Sequence, residues 1–390
     1  MLRALAPAGL PMTISDLRAG LVAAGEGERA VAALRREICQ SFGVRHTFLV
    51  SSGRAALSIL LQALHALQPQ RNVVALPAYT SYSVPSAAVN AGLRVALYDL
   101  DPVTLSPVPE SLARAVDHRT VAVVVCHLFG YPADLDLVRQ VAAARGAYVV
   151  DDAAQAMGGE FKGKPLGCCG DAGLFSLSRG KNLNALDGGI IITHRDDLAS
   201  RLEQLQPVGD GARTHRLFLK ALLLSMLIRP SLYWLPRSLP FLRIGASVYD
   251  PRFPRDTFTP FQAGIARRML ARLPEVTAAR REVARDLRGR LSNLHDVSPV
   301  GSGGYGEPVY LRFPVMVNSG LPLVESPLLG VVRSYPTPLG AIEQLRPHLV
   351  DVSARYPGAE QLAGRLLTLP THQFVTPLDR KRIVESIGSR

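Results

Sequence analysis

Lys181 lies in a loop of small and polar residues, Ser176-Leu177-Ser178-Arg179-Gly180-Lys181-Asn182-Leu183, with Gly188-Gly189 and the apolar run Ile190 to Ile192 close behind. Upstream, Ala147-Tyr148-Val149-Val150-Asp151-Asp152 reads as an apolar strand that ends in two carboxylates. A lysine amine can form a Schiff base with a carbonyl carbon, and an acid at a strand end can hold a ring nitrogen protonated. That pair is what pyridoxal phosphate needs. Asp152 is the candidate partner of the ring nitrogen. Asp151 is the competing acid, and one of the two is free to cap the following turn. Gln155, three residues on, is placed to bond the phenolic oxygen of such a cofactor.

Other segments converge on the same chemistry. Ser51-Ser52-Gly53-Arg54-Ala55-Ala56-Leu57 joins a strand to a helix. Glycine permits close backbone approach there, and a helix N-terminus offers free N–H groups to a phosphate. Arg54 could add a charged contact; simple helix capping is the competing reading. Ser176, Ser178 and Asn182 are further small polar candidates for phosphate, against plain turn chemistry. His127, after the strand Val121 to Cys126, either faces substrate or satisfies local backbone groups. Tyr79 and Tyr82, after the strand ending at Leu76, either place a ring over the cofactor or pack in the core.

The elements that must position these residues follow from the hydrophobic pattern. Gly25 to Ile38 has helical spacing and belongs to a helical lead-in. Seven short apolar strands follow: Thr47 to Val50, Val73 to Leu76, Arg94 to Tyr98, Val121 to Cys126, Ala147 to Val150, Leu174 to Leu177 and Ile190 to Thr193. Helices are expected over Ala55 to Leu67, Leu135 to Arg145 and Leu198 to Leu205. Strands this continuously apolar are buried on both faces, so the fold class is α/β with a mostly parallel sheet flanked by helices. Ligands of such sheets bind beyond the carboxyl ends of the strands, where most of these motifs fall. After residue 205 the pattern breaks into apolar stretches spaced by Arg216, Lys220, Arg229, Arg237 and Arg243. A basic helix over Phe261 to Leu291, a strand over Val309 to Val317, a turn at Tyr335-Pro336-Thr337-Pro338 and a last helix near Leu378 to Ile387 make a smaller α+β subdomain. The division expected is 1–215 for the lead-in and large domain, 216–257 for an apolar, basic insertion, and 258–390 for the remainder.

Composition sets bounds on function. The chain has 390 residues, 47% hydrophobic and 19% charged, which is a globular balance with room for a large core. Its four cysteines, Cys39, Cys126, Cys168 and Cys169, have no metal-ligand spacing, so no metal site is expected and the thiols read as reduced in a cytoplasmic protein. A net charge of +12 calls for an anionic partner. The arginines are scattered rather than interleaved with aromatics, which disfavours nucleic acid. Residues 1–12 make a poor signal peptide, and no uninterrupted apolar run is long enough for a spanning helix. The stretch 216–245 fits either peripheral contact with a membrane or an ordinary dimer-interface or core insertion.

The order of the motifs resembles the DegT/StrS-type sugar aminotransferases, pyridoxal-phosphate enzymes of fold type I. The resemblance runs from about Phe42 to Leu205, and more loosely to the C-terminus. It rests on Ser52-Gly53-Arg54-Ala55-Ala56-Leu57, Pro77-Ala78-Tyr79-Thr80, Tyr98-Asp99-Leu100-Asp101-Pro102, His127-Leu128-Phe129-Gly130, Asp152-Ala153-Ala154-Gln155, Gly170-Asp171-Ala172-Gly173 and Phe175-Ser176 through Lys181-Asn182-Leu183. It implies Lys181 as the Schiff-base lysine, Asp152 on the ring nitrogen, Gln155 near the phenolic oxygen, and Ser52, Gly53, Arg54 and Ser176 at the phosphate. Tyr82 or Tyr79 would cover the ring, because Ser81 stands where an aromatic is usual. His127, Tyr79 and Asn182 are substrate candidates. The family usually works as a homodimer and moves an amino group from an amino-acid donor, usually glutamate, to a nucleotide-linked keto sugar. A lysine at 181 resembles the transaminating members; relatives that dehydrate sugars carry histidine there. A non-catalytic scaffold relative is the reading from another class. Two further departures are Arg54, where threonine is usual, and 216–245, which replaces the usual Gly-x-Asn-x-Arg segment.

Overall fold

The computed structural model describes residues 3–207, 214–237, 248–301, 303–318, 320 and 322–388. The apolar run at 239–244, with Arg243, lies outside the described residues.

Two helices lead in, α1 (Ile14–Glu26) and α2 (Glu28–Phe42). The single helical signal read across Gly25 to Ile38 divides because Gly27 takes a positive φ of 62°, ending one helix and starting the next. Thr13 caps α1, its side chain accepting from the Asp16 N–H while Asp16 returns a bond to the Thr13 N–H.

The large domain then runs β1 (His46–Val50), α3 (Gly53–Leu67), β2 (Val73–Pro77), α4 (Ser83–Asn90), β3 (Arg94–Tyr98), α5 (Pro109–Ala115), β4 (Thr120–Cys126), α6 (Leu135–Arg145) and β5 (Tyr148–Asp152). A two-residue hairpin pair, β6 (Glu160–Phe161) and β7 (Lys164–Pro165), precedes β8 (Ala172–Ser176), β9 (Gly189–Thr193) and α7 (Asp196–Gln204). Seven strands form one sheet in the order β1-β9-β8-β5-β4-β2-β3. β9 runs against both neighbours and every other adjacent pair is parallel. This is the mostly parallel sheet read from the sequence. All seven residues of β4 are buried, as a strand covered by helices on both faces requires.

The chain continues through α8 (Thr214–Leu227), α9 (Trp234–Arg237), α10 (Pro260–Ala271) and α11 (Leu273–Leu291). The helix expected over 261–291 is two helices, because Arg272 between them has left helical geometry at φ −96°, ψ 0°. The smaller sheet comprises β10 (Val297–Pro299), β11 (Arg312–Val317) and β12 (Leu366–Pro370), antiparallel with β11 central. α12 (Pro357–Arg365) and α13 (Pro377–Gly388) complete it. A second apolar core forms here, from Val283, Leu287, Phe313, Val315, Leu369 and Ile383 among others. Leu5, from the N-terminal strap, packs into it.

Asp99, just past β3, anchors the start of α12, whose Ala359, Leu362 and Ala363 pack into the large core. Its carboxylate accepts from the Gly358 N–H at 2.8 Å and the Ala359 N–H at 2.8 Å, both in the first turn of α12. These are donors that a helix start leaves unpaired, and the negative charge suits the positive end of the helix. Gly358 allows the approach, since a Cβ there would run into the Leu100 carbonyl. We predict that Asp99→Ala costs about 2–4 kcal/mol, the worth of two buried bonds to an ionised acceptor. Urea unfolding checks this, and a loss below about 0.5 kcal/mol would show that α12 does not depend on the carboxylate.

Candidate active site

β5 ends in Asp151 and Asp152, and successive side chains of a strand point to opposite faces. Asp151 is fully buried and spent on structure. One oxygen pairs with His127 Nε2 at 2.7 Å, and the other accepts from the Gly167 and Cys169 N–H groups at 2.8 and 2.9 Å. His127 Nδ1 accepts from the Ala133 N–H at 3.0 Å, so Nε2 carries the proton and donates to Asp151. Both ring nitrogens are therefore engaged and the ring is buried. Of the two readings of His127, these bonds favour local satisfaction over a place at the substrate: the ring ties the end of β4 to Asp151 on β5 and to the Ala133 N–H ahead of α6.

Asp152 looks the other way. Its carboxylate accepts from the Ala154 N–H at 3.0 Å and from the Cys126 thiol at 3.4 Å. Burial pushes its carboxyl above the usual carboxylate range; the Ala154 N–H, the Cys126 thiol and the nearby Lys181 charge draw it part of the way back. Lys181 shows the complementary effect. Burial pulls its amine down to about 8, against the opposing pull of Asp152. Gly180, at φ 83°, sets the turn that carries it.

Gln155 is held from both ends. Its Oε1 accepts from the Phe129 N–H at 3.1 Å, and its Nε2 donates to the Tyr335 hydroxyl at 3.0 Å. Tyr335 arrives from the small domain. Its ring stacks on Phe129 at 6.0 Å and meets Tyr79 edge-on at 5.5 Å. Burial pushes its phenol up to about 12. Tyr79 is almost fully buried, and its phenol is pushed well up by that burial. Tyr82 is buried beside Tyr335, its hydroxyl donating to the Thr337 carbonyl at 3.0 Å and accepting from the Thr337 N–H at 2.9 Å. Both candidate ring-covering tyrosines thus stand in one aromatic wall with Tyr335.

The phosphate candidates also meet. Ser52 caps α3, accepting from the Ala55 N–H at 3.1 Å. A Cβ at Gly53 would come within 2.8 Å of the Ser176 Cβ, so only glycine lets the start of α3 approach the end of β8 this closely. Ser176 Oγ lies 3.0 Å from Ser178 Oγ. The guanidinium of Arg54 lies over the Phe253 ring at 4.5 Å and reaches the Asp250 carbonyl at 3.4 Å. Asn182 is buried and donates to the Met157 carbonyl at 3.0 Å, which holds the lysine loop against the segment after β5.

Sequence reasoning missed three contributors. Cys126 entered only as a reduced thiol, and Tyr335 only as part of a turn. Arg312, at the start of β11, projects toward the same wall and Tyr79. It donates to Ser334 Oγ at 3.2 Å and to the Gly330 and Thr368 carbonyls at 3.3 and 3.1 Å, yet its buried Nε has no partner among the described residues. Burial pulls its guanidinium down to about 10. No local signal marks Arg312, because its role depends on where the small domain packs.

The strand ends thus gather a lysine and a carboxylate both shifted toward their neutral forms and a glycine-opened helix start beside two serine hydroxyls, on a sheet of the fold type I class. The chain belongs to the DegT/DnrJ/EryC1/StrS aminotransferase family, whose model matches residues 17–388. It is therefore a pyridoxal-phosphate-dependent enzyme of the sugar aminotransferase group. Among solved structures it is similar to DesI, crystallised in the presence of its TDP-sugar product, at 25% identity and a TM-score of 0.76, covering 99% of this chain and 92% of that one. The sugar aminotransferase CalS13 from Micromonospora echinospora shares the fold at 22% identity and a TM-score of 0.77, over 100% of both chains. So does a GDP-4-keto-6-deoxymannose-3-dehydratase, ColD, with bound GDP-perosamine, at 18% identity and a TM-score of 0.77, over 99% of this chain and 100% of that one.

The depressed amine yields a prediction for the cofactor-free protein. Between about 8 and its ordinary 10.5, Lys181 binds fewer protons folded than unfolded, so its contribution to stability rises with pH through that window. Below about 8 the full penalty of the buried charge is present. Lys181→Met should therefore stabilise the apo-protein at pH 7 by about 1–3 kcal/mol, an advantage that fades above pH 10.5. Denaturant titrations of both proteins across pH test this; a variant less stable at pH 7 would refute it.

Proposed function

We propose that this enzyme transfers an amino group from an amino-acid donor, glutamate first among the candidates, to a nucleotide-linked keto sugar, in the assembly of cell-surface polysaccharide or glycoconjugate. The observation that carries the reading is Lys181, a buried amine lowered to about 8 with the buried Asp152 carboxylate near it. Histidine at this place would resemble the sugar-dehydrating relatives; a lysine supports transamination.

The residues present fit the cofactor. Asp152 has a raised carboxyl whose hydrogen-bond donors, among the described residues, are a thiol and one N–H, so a protonated ring nitrogen would complete it. The Gly53–Ser176 approach leaves the α3 N-terminus open to a phosphate. When bound, pyridoxal phosphate supplies an electron sink for the charge left by loss of the donor's α-proton. The protein's own part is positional and proton-transferring. Lys181 would hold the cofactor through its amine and, once released, would take the donor's α-proton as general base. Asp152 would hold the ring nitrogen protonated. Gln155, fixed by Phe129 and Tyr335, would be the residue for the phenolic oxygen. Arg312 offers its unpaired Nε to the donor's carboxylate, a charge-assisted bond in a dry setting. The same reading includes a homodimer in the cytoplasm.

The experiment is an assay of the purified enzyme with glutamate and a panel of nucleotide-linked keto sugars, with products identified by mass. Amination of at least one sugar is expected; a deoxygenated product instead would move the enzyme to the dehydrating branch. Lys181→Ala should cut turnover by at least about 10³-fold. Arg312→Leu should raise the KM for the amino donor about 10- to 100-fold, with a much smaller effect on the KM for the sugar. Equal effects on both substrates would remove Arg312 from the donor site.

A further inference from the structure

α8 packs on the large domain through Leu217 and Ala221, while Phe218 meets Phe261 edge-on at 6.4 Å. Its other side is also apolar. Leu219 is 65% exposed, Leu222 38%, Leu223 54% and Met226 50%, at the three- and four-residue spacing of a single helix face. A surface helix ordinarily turns polar residues outward; this one has two apolar faces, and among the described residues a partner covers one of them. Around the uncovered face stand exposed Arg216, Lys220 and Arg229. From residue 211 to residue 249 the chain has no Asp or Glu, while Arg213, Arg216, Lys220, Arg229, Arg237 and Arg243 fall within it. Just beyond α8 come Trp234, the protein's only tryptophan, and Leu235, which is 40% exposed.

We propose that the outward face of α8, continued by Trp234 and Leu235, docks on an anionic lipid surface. Leucine and methionine side chains would enter the acyl boundary while arginine and lysine meet the headgroups, the arrangement of a helix lying in the interfacial plane. Charge selects this occupant. A second copy seated by two-fold symmetry would bring the same basic patch against itself, with no acid in 211–249 to neutralise it. A nucleic acid would use the cations and leave the leucines and methionine without a role. The contact is superficial, since among the described residues no helix is long and apolar enough to cross a membrane. The docking face would hold a water-soluble catalyst beside a lipid-borne acceptor or a membrane-bound enzyme that consumes its product.

Vesicle flotation of the full-length, cofactor-loaded enzyme tests this independently of the sugar substrate. One set of vesicles is phosphatidylcholine alone, the other phosphatidylcholine with phosphatidylglycerol. The protein should float with the anionic set, release at high salt, and shift its Trp234 emission to the blue on binding. Leu219→Glu with Leu223→Glu should weaken partitioning at least about tenfold, without altering the visible cofactor absorbance. Because both positions are exposed, retained absorbance shows that the variant folds. Flotation equal on neutral and anionic vesicles would overturn the charge argument. Absence of flotation, or flotation untouched by the double substitution, would overturn the docking face. A double variant that changes oligomeric state but not flotation would assign the face to a second copy.

Discussion

Alternation along β5 is the constraint on which the site depends. Two adjacent carboxylates at the end of one strand cannot serve the same side of the sheet. Asp151 therefore works inward, gripping His127 and the N–H groups of Gly167 and Cys169. Those contacts tie the end of β4 to the segment that feeds β8, and β8 leads into the Lys181 loop. Asp152 works outward, into the space that Lys181 shares. A buried ion is costly unless it is paired and bonded, so Asp151, with three partners, is held as structure, while Asp152, bonded by one N–H and one thiol, has room to respond to a ligand.

The parallel sheet sets the second level of organisation. The strand ends that carry Cys126, Asp152 and Ser176 lie side by side because β4, β5 and β8 are parallel neighbours. The start of α3 reaches the same edge through β1, two places further along. The small domain then closes the site from across the chain, supplying Tyr335 and Arg312. Asp99 is part of that closure, since its carboxylate fixes the start of α12, and α12 runs directly into β12, the strand paired with the one that carries Arg312.

The seven strands were legible because each is a short apolar run, and a doubly covered strand has to be one. The Lys181 loop and the Asp-x-x-Gln segment were legible because glycine, serine and paired acids at a strand end are rare in combination. Helix breaks were not: Gly27 and Arg272 interrupt runs whose apolar spacing continues through them. α4 and α5 were also missed, being short and carrying prolines that read as loops.

By itself the sequence determined the α/β sheet, since local apolar pattern suffices for that, and it singled out Lys181 and the Asp151–Asp152 pair as candidates by their residue chemistry. It left open which carboxylate faces Lys181, whether His127 is free, and what 216–245 presents. Tertiary structure decided the first two, because strand direction and the partners of a ring nitrogen exist only once distant segments meet. For the third it showed, over the described part of α8, that one apolar face is covered and the other is bare. Burial alone makes that distinction, as the two faces carry the same kinds of residue.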